Sequence, residues 1–290
     1  MRAYRAAAPI ILDVGERSID VTTRALVMGI LNRTRDSFYA PAATYDLDAL
    51  YARAETLVRD GADLLDIGGV KAGPGDEVDE TEELDRVVPV VAELRRRFDV
   101  PISVDTWRAS VAAACFAEGA ALGNDISGFA DPDYLPAAAA AGATVVATHI
   151  RLRPRVADPT PHYDDVTATV RDFLIERRAR ALAAGVGERR VILDAGLDLG
   201  KTARQSLELL RRSDELAALG SPLLLSASNK GFLGALFDQP VGERREASLA
   251  AAALGITSGC RVLRVHDVAG TVRVRDTLAA VLAAQSGTPG

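Results

Sequence analysis

Eight short apolar segments, each carrying polar residues at or near its end, alternate with helical patterns along this sequence. The candidate strands span residues 25–32, 63–69, 101–106, 122–128, 144–150, 190–196, 222–228 and 261–268. The helical patterns cover about 46–60, 80–97, 108–119, 132–141, 163–185, 202–219, 243–257 and 271–285. A strand followed by a helix eight times predicts an α/β fold, the (β/α)8 TIM barrel, whose active site lies at the carboxyl ends of the strands.

One further segment, residues 9–23, alternates apolar and polar side chains around Gly15-Glu16. This alternation predicts a β-hairpin, which we place across the bottom of the barrel. A length of 290 residues fits one barrel with short extensions. We therefore expect residues 1–290 to form a single barrel domain with an N-terminal β-hairpin.

The composition excludes several classes of protein. No apolar run reaches the roughly 18 residues that a membrane-spanning helix needs, and the net charge of −6 argues against nucleic acid as a partner. The two cysteines, Cys115 and Cys260, offer no framework for disulfides or for a metal. We therefore expect a cytoplasmic protein that binds neither membranes nor nucleic acids, and whose partner is a small molecule.

Polar residues that can do chemistry cluster at the strand ends. They are Asn32, Asp66, Asp105, Asn124, His149, Asp194, Lys230, Arg264 and His266. Asp105, Asn124 and Asp194 together can bind a flat nitrogen heterocycle, because carboxylates pair well with the adjacent N–H donors of an amino-pyrimidine. The alternative is structural: a carboxylate at this position can instead cap the helix that follows.

Arg264 and His266 lie two residues apart on the last candidate strand, where the period of two places them on one face. With Lys230 they predict an anion site, as recurs after strands 7 and 8 of barrels. The alternative for His266 is a buried core residue. Lysine is informative here, since the chain has 31 arginines but only Lys71, Lys201 and Lys230, all of them in predicted loops on the functional face.

Other types of site lack support. The chain has no nucleophile elbow of the G-x-S-x-G type, its three histidines lack the spacing of metal ligands, and it has no G-x-G-x-x-G fingerprint.

In order along the chain, the segments resemble the dihydropteroate synthase family. The matching stretches are MGILNRTRDSF (28–38), DIGG and PG (66–69, 74–75), ISVDT (102–106), NDISG (124–128), the His149 segment, LDAG (193–196), SNKGFLG (228–234) and RVHDV (264–268). The resemblance implies a barrel that joins p-aminobenzoate to 6-hydroxymethyl-7,8-dihydropterin pyrophosphate in folate biosynthesis. It also implies a homodimer formed through the late helices, where residues 244–259 are rich in alanine.

Site roles follow from the resemblance, position by position. The pterin-binding residues would be Asp105, Asn124, Asp194 and Lys230. Asn32 would be a ligand of Mg²⁺, the implied cofactor, together with the pyrophosphate. Arg264 and His266 would bind the pyrophosphate and stabilise the departing anion, and no residue is assigned a catalytic role beyond that.

Four family motifs are altered, one of them by Ala195 in place of the proline of D-P-G. In the first loop, Arg33 and Arg35 replace the valine and the proline of the family motif N-V-T-P-D-S-F. In the second loop, Val70-Lys71-Ala72-Gly73 replaces E-S-T-R. After the seventh strand, Asn229 replaces the arginine of S-R-K. We therefore expect a divergent paralogue that keeps the pterin pocket but has little or no synthase activity. Two alternatives stay open: an active synthase that compensates with Lys71, Arg33 and Arg35, and a barrel enzyme of changed specificity with a more anionic substrate. The role of the arginine-rich segment 151–155 is also open.

Overall fold

The structure is a computed structural model, and it describes residues 4, 6, 8–33, 43–73 and 77–284. Ten strands occur in these ranges: β1 Ile11–Val14, β2 Arg17–Asp20, β3 Leu26–Asn32, β4 Leu64–Gly68, β5 Ile102–Asp105, β6 Leu122–Asp125, β7 Thr144–Thr148, β8 Val191–Asp194, β9 Leu223–Leu225 and β10 Cys260–Val265. Strands β3 to β10 are parallel and close into a barrel in chain order, with β10 beside β3. The predicted (β/α)8 TIM barrel is confirmed.

The barrel is surrounded by helices that follow its strands. They are α1 Ala43–Arg59, α2 Glu80–Arg97, α3 Ala109–Ala117, α4 Tyr134–Ala140, α5 Val166–Ala183, α6 Ala203–Arg211, α7 Ser213–Ala217, α8 Gly231–Gly234, α9 Arg245–Thr257 and α10 Val268–Ala284. Within the described ranges, no helix is long and apolar enough to cross a membrane.

The barrel strands are largely apolar because both of their faces are buried. Inward side chains such as Met28 and Val262 fill the barrel, while outward ones such as Val27 and Leu263 pack against the helices. The antiparallel pair β1–β2 confirms the predicted hairpin. Its fully buried Leu12 belongs to the same cluster as the barrel interior, so the hairpin closes the bottom of the barrel.

Helix α2 shows how the local sequence determines the ends and the buried face of a helix. Asp79 caps its N-terminus by accepting a hydrogen bond from the Glu82 N–H at 2.8 Å, and arginines occupy its last turn. Val87, Val91 and Leu94 recur at helical spacing and are fully buried.

Most elements differ by a few residues from their predicted bounds, and two of the differences have a clear local cause or consequence. The pattern at 202–219 forms two helices that meet at Arg212. Here the Ser213 hydroxyl donates to the carbonyls of Leu209 and Leu210, competing with the backbone ladder. Strand β10 ends at Val265, so His266 lies just beyond it.

Candidate functional site

A buried polar network joins four strands, β4, β5, β6 and β10, at the carboxyl end of the barrel. The Asp66 carboxylate, fully buried on β4, accepts hydrogen bonds from the Ser103 hydroxyl and from Asn124 Nδ2, the latter at 3.3 Å. Arg264 Nε donates to Asp66 Oδ2 at 2.6 Å, and Arg264 Nη2 donates to Asp105 Oδ2 at 2.7 Å. The network therefore brings together three of the residues predicted from the sequence: Asp105, Asn124 and Arg264.

The ionisation of Asp105 is poised near neutral pH. Burial raises the pKa of its carboxyl group to about 7, although the nearby Arg264 cation acts to lower it. For Arg264, burial acts to lower the pKa, but the ion pairs with Asp66 and Asp105 outweigh it, so its pKa lies above the usual value. Arg264 remains charged, while Asp105 exchanges a proton in the physiological range.

Asp194 and Lys230 lie on the neighbouring side of the mouth. Asp194 Oδ1 accepts a hydrogen bond from the Gly196 N–H at 2.8 Å, and Lys230 Nζ donates to the Leu197 carbonyl at 2.6 Å. Burial raises the pKa of Asp194, whereas the Lys230 cation acts to lower it. Burial lowers the pKa of Lys230, whereas Asp194 acts to raise it, so the two groups stabilise each other's charged forms.

Neither Asp105 nor Asp194 caps the helix that follows it, so the alternative role of these carboxylates as helix caps does not apply. Helix α6 begins after Thr202, whose hydroxyl caps it with Gln205 in a capping box, so Asp194 has no part in that cap. At the start of α3, the Ala109 N–H donates to Asp131 rather than to Asp105.

His266 and Arg264 have different neighbours, because strand β10 ends between them. The His266 N–H donates to Ser228 Oγ at 3.2 Å, and the Ser228 hydroxyl lies 3.0 Å from His266 Nδ1. A hydroxyl that accepts from the backbone can donate to Nδ1, which leaves the ring proton on Nε2. Burial, followed by the charges of Arg264 and Arg53, lowers the pKa of His266 to about 4. At neutral pH the ring is therefore uncharged and can serve an anion only as an N–H donor.

Asn32 ends β3 and is exposed beside the mouth, in register with Gly68 on β4. Next to it, the Arg33 guanidinium donates to the carbonyls of Asp85 and Arg86 in helix α2. The remainder of the first altered loop, including Arg35, lies outside the described residues.

Two loops meet above the mouth. We call the residues 70–73 loop 2 and the residues 151–163 loop 5. Arg155 on loop 5 donates from its backbone N–H to the Ala72 carbonyl at 3.1 Å and from Nη1 to the Lys71 carbonyl at 3.0 Å. A hollow of about 150 Å³ lies between them, beside the segment that follows β8. The arginine-rich segment, whose role the sequence left open, thus holds the main chain of loop 2.

Sequence reasoning assigned no role to two residues at this end of the barrel. Asp66, one of the acids near the strand ends, lies inside the barrel and is the centre of the polar network. Lys201 is buried against His149, and the only signal in the sequence was its rarity among so many arginines. Asp125, beside Asn124, is structural: its carboxylate accepts from the backbone N–H groups of Ser127 and Phe129.

Comparisons with known proteins agree with this architecture. The family described as "Pterin binding enzyme" matches residues 28–266. A Mycobacterium leprae protein named "Inactive dihydropteroate synthase 2" is 44% identical over 264 residues, which are 89% of this chain and 91% of that protein. The "Dihydropteroate synthase" of a Synechocystis strain is 40% identical over 260 residues, covering 89% of this chain and 90% of the relative.

Solved structures show the same relationship. The Xanthomonas albilineans dihydropteroate synthase with 4-aminobenzoic acid superposes with a TM-score of 0.87 at 38% identity, covering 97% of this chain and all of that one. The same enzyme in complex with 7,8-dihydropteroate gives a TM-score of 0.83 at 37% identity, covering 96% of this chain and all of that one. On the barrel, the ordered motifs and these matches, the chain belongs to the dihydropteroate synthase family of pterin-binding enzymes.

Proposed function

We propose that the protein binds a pterin at the mouth of the barrel but has little or no dihydropteroate synthase activity. The pterin would be bound by Asp105, Asn124, Asp194 and Lys230. Carboxylates accept hydrogen bonds from the amino-pyrimidine edge, and the lysine and the amide donate to the carbonyl oxygen and the ring nitrogen atoms. Support comes from the hydrogen bonds and ion pairs that connect Asp105 and Asn124 through Asp66 and Arg264, and from the opposite charges of the neighbouring Asp194 and Lys230.

The composition of loop 2 carries the proposal of low activity. In the synthase reaction, the amine nitrogen of aminobenzoate bonds to the pterin methylene carbon while the C–O bond to pyrophosphate breaks. The amine loses a proton, and the pyrophosphate leaves with the electron pair. Serine, threonine and arginine donors near the leaving group stabilise this charge, yet this chain has Lys71, Ala72 and Gly73 at those positions.

The size of the expected deficit can be bounded. A hydrogen bond to a charged group contributes about 1.5–3 kcal/mol, so the loss of two of them lowers the rate by roughly two to four orders of magnitude. Arg264 does not compensate freely, since Asp66 and Asp105 already share its charge. The relatives named inactive are only a few percent more identical than the synthases, so the proposal is supported by the site residues rather than by overall similarity.

Mg²⁺ remains part of the proposal as an ion that accompanies pyrophosphate. Among the residues that the structure describes, no group of three or more His, Cys, Asp or Glu side chains could hold a metal. Mg²⁺ commonly takes one or two protein ligands and completes its shell with phosphate oxygens and water. The exposed amide of Asn32 fits such a site as one ligand, and the ion would help to neutralise the pyrophosphate.

We also propose a homodimer that forms through α9. An apolar groove of about 600 Å³ lies between α6, α8 and α9 and is lined by Leu210, Leu233, Ala250 and Leu254. At its edge Leu236 and Phe237 are 48% and 64% exposed and extend the apolar surface of the groove, and a contiguous apolar patch is typical of an interface. The cytoplasm is the proposed compartment, supported by Cys115 and Cys260, which are buried free thiols.

The test of the pterin site is a binding measurement. Titration with 6-hydroxymethylpterin, followed by fluorescence or calorimetry, should give saturable binding that Asp194→Asn weakens about tenfold or more. The matched control is Asp63→Asn, since Asp63 is a partly buried acid that pairs with Arg275 at the opposite end of the barrel. Wild-type protein that fails to bind any pterin would refute the proposal.

Turnover needs a separate measurement. Purified protein with the pterin pyrophosphate, aminobenzoate and Mg²⁺ should form little or no product, and the gene should fail to complement a synthase-null strain. Turnover of about 0.1–10 s⁻¹, the range of ordinary enzymes, would show instead an active synthase. Pterin binding without turnover, but with consumption of a more anionic substrate, would indicate a changed specificity.

A further inference from the structure

Lys201 is a buried lysine with an unusually complete set of acceptors. It is 7% exposed and lies in the segment between β8 and α6. Its Nζ lies 2.9 Å from His149 Nδ1 and donates to the carbonyls of Gly196 at 2.8 Å, Leu199 at 3.0 Å and His149 at 3.3 Å. The ammonium group therefore joins the end of β7 to the loop that follows β8.

The groups that Lys201 binds are the groups that hold Asp194. The Gly196 N–H donates to Asp194 Oδ1 at 2.8 Å, and the His149 N–H donates to the Asp194 carbonyl at 3.0 Å. Both of these partners accept from Lys201 on their other side, so the lysine closes a ring of hydrogen bonds around Asp194. The turn is tight: Gly196 has φ +64°, and a Cβ atom there would lie 1.9 Å from the His149 carbonyl oxygen.

The charge of Lys201 also acts on Asp194. Burial lowers the pKa of Lys201 to about 7, while Asp194 and Asp198 raise it and Lys230 lowers it. Burial, and then the Lys201 charge, lowers the pKa of His149 to about 3, so the ring is neutral and accepts from the ammonium group. In turn, the Lys201 cation is one of the groups that lower the pKa of Asp194.

We propose that Lys201 is a positioning residue, whose ammonium group fixes the turn that presents Asp194 and whose charge favours the ionised form of that carboxylate. This inference deepens the proposed function and rests on it for the identity of the ligand. Lys201 itself does not touch the pterin. It acts by holding one Asp194 oxygen in the turn, so that the other is presented at a fixed angle.

The first experiment compares Lys201→Met with a matched buried cation. Arg261, at the bottom of the barrel, is 2% exposed and donates to the carbonyls of Thr22, Ile256 and Cys260. Both Lys201→Met and Arg261→Met should lower the melting temperature. Only Lys201→Met should weaken binding of 6-hydroxymethylpterin by the folded protein, by about tenfold or more. Equal affinity in the two variants would overturn the proposal.

A pH profile provides a readout that a purely structural role does not move. Without the Lys201 charge the pKa of Asp194 rises, so Lys201→Met should lose pterin affinity at a higher pH than wild type as the solution is acidified. Arg261→Met should lose pterin affinity at the same pH as wild type. Loss of affinity at one common pH in all three proteins would count against an electrostatic role for Lys201.

Two measurements do not need the ligand. Amide exchange at Gly196 in ligand-free protein should be faster in Lys201→Met than in Arg261→Met, even if the wild type binds no pterin. If Lys201→Met fails to fold, ¹⁵N spectra of His149 in the wild-type protein at pH 6 still test the proposal, because they locate the ring proton. The ammonium contact requires the proton on Nε2, and a proton on Nδ1 would overturn the proposal.

Discussion

Arg264 lies between two carboxylates from neighbouring strands, donating from Nε to Asp66 at 2.6 Å and from Nη2 to Asp105 at 2.7 Å. Asp66 is fully buried, and only 16% of the Arg264 side chain is exposed. One cation therefore forms ion pairs with two acids, and for Asp105 its charge opposes the rise in pKa that burial causes. Any pterin that uses Asp105 binds to a carboxylate already oriented and partly neutralised by Arg264.

Removal of this cation should destabilise the protein. Arg264→Met leaves Asp66 and Asp105 without their counter-charge, a change that commonly costs about 3 kcal/mol or more when a buried pair is broken. Urea unfolding at pH 8 should show this loss in the free energy of unfolding. At pH 5 the loss should be smaller, because Asp105 is then largely protonated. An equal loss at both pH values would show that Asp105 does not titrate as the structure indicates.

Asp105→Asn should change how stability depends on pH. The pKa of Asp105 is raised in the folded protein from 3.8 to about 7, so ionisation is harder in the folded state than in the unfolded state. Its contribution to stability is complete below about pH 4 and is lost as the pH rises to about 7. The melting temperature of Asp105→Asn relative to wild type should therefore rise over this window and level off above it. The other acids are common to both proteins, and a constant difference across the window would contradict the assignment.

The sequence predicted the barrel because the strand and helix periods were regular and both faces of each strand were apolar. It predicted Asp105, Asn124 and Arg264 at one mouth because parallel strands end on one side. It could not predict that Arg264 turns towards Asp66, since ion-pair partners 198 residues apart leave no local pattern. The same holds for Lys201, whose partners come from two different loops. Arg264 and His266 were expected on one face because the predicted strand extends to residue 268, whereas β10 ends at Val265.

Loop 2 should depend on Arg155 for its order. Arg155→Ala removes the side-chain bond to the Lys71 carbonyl, so amides at 71–73 should exchange about tenfold faster, as expected for a loss of roughly 1.4 kcal/mol. Alanine is a fair replacement because Arg155 already has φ +68°, where both residues are strained alike. Arg153→Ala, on the same loop, keeps both Arg155 bonds and is the control. Unchanged exchange in both variants would show that loop 5 does not hold loop 2.

The proposed homodimer should depend on the apolar edge of the groove beside α9. Phe237→Asp places a charge where a partner would bury a ring, and it should shift the mass by light scattering from twice 30.6 kDa to once. Ile175→Asp is a control at a similarly exposed apolar position on α5, 48% exposed, and it should leave the mass unchanged. A wild-type mass near 30.6 kDa at micromolar concentration would reject the dimer.

Restoration of the family residues in loop 2 provides the sharpest test of the proposed loss of synthase activity. The triple variant Lys71→Ser, Ala72→Thr, Gly73→Arg returns the hydroxyl and guanidinium donors that a departing pyrophosphate needs. Gly73 can accept a side chain, because a Cβ atom built there meets no heavy atom within 4 Å. Synthase turnover should rise about tenfold or more, with pterin affinity unchanged.

The same substitutions separate this proposal from its main alternative. If the protein is an active synthase in which Lys71 compensates for the missing arginine, Lys71→Ser should lower turnover rather than raise it. Asp194→Asn added to the triple variant should abolish the gain, because the new donors act only on a bound pterin. Asn229→Arg is the less favourable fourth change: Asn229 has φ +59°, a left-handed conformation that costs arginine about 1–2 kcal/mol. We therefore expect the gain to come from loop 2, and no gain from the triple variant would place the cause of inactivity elsewhere in the site.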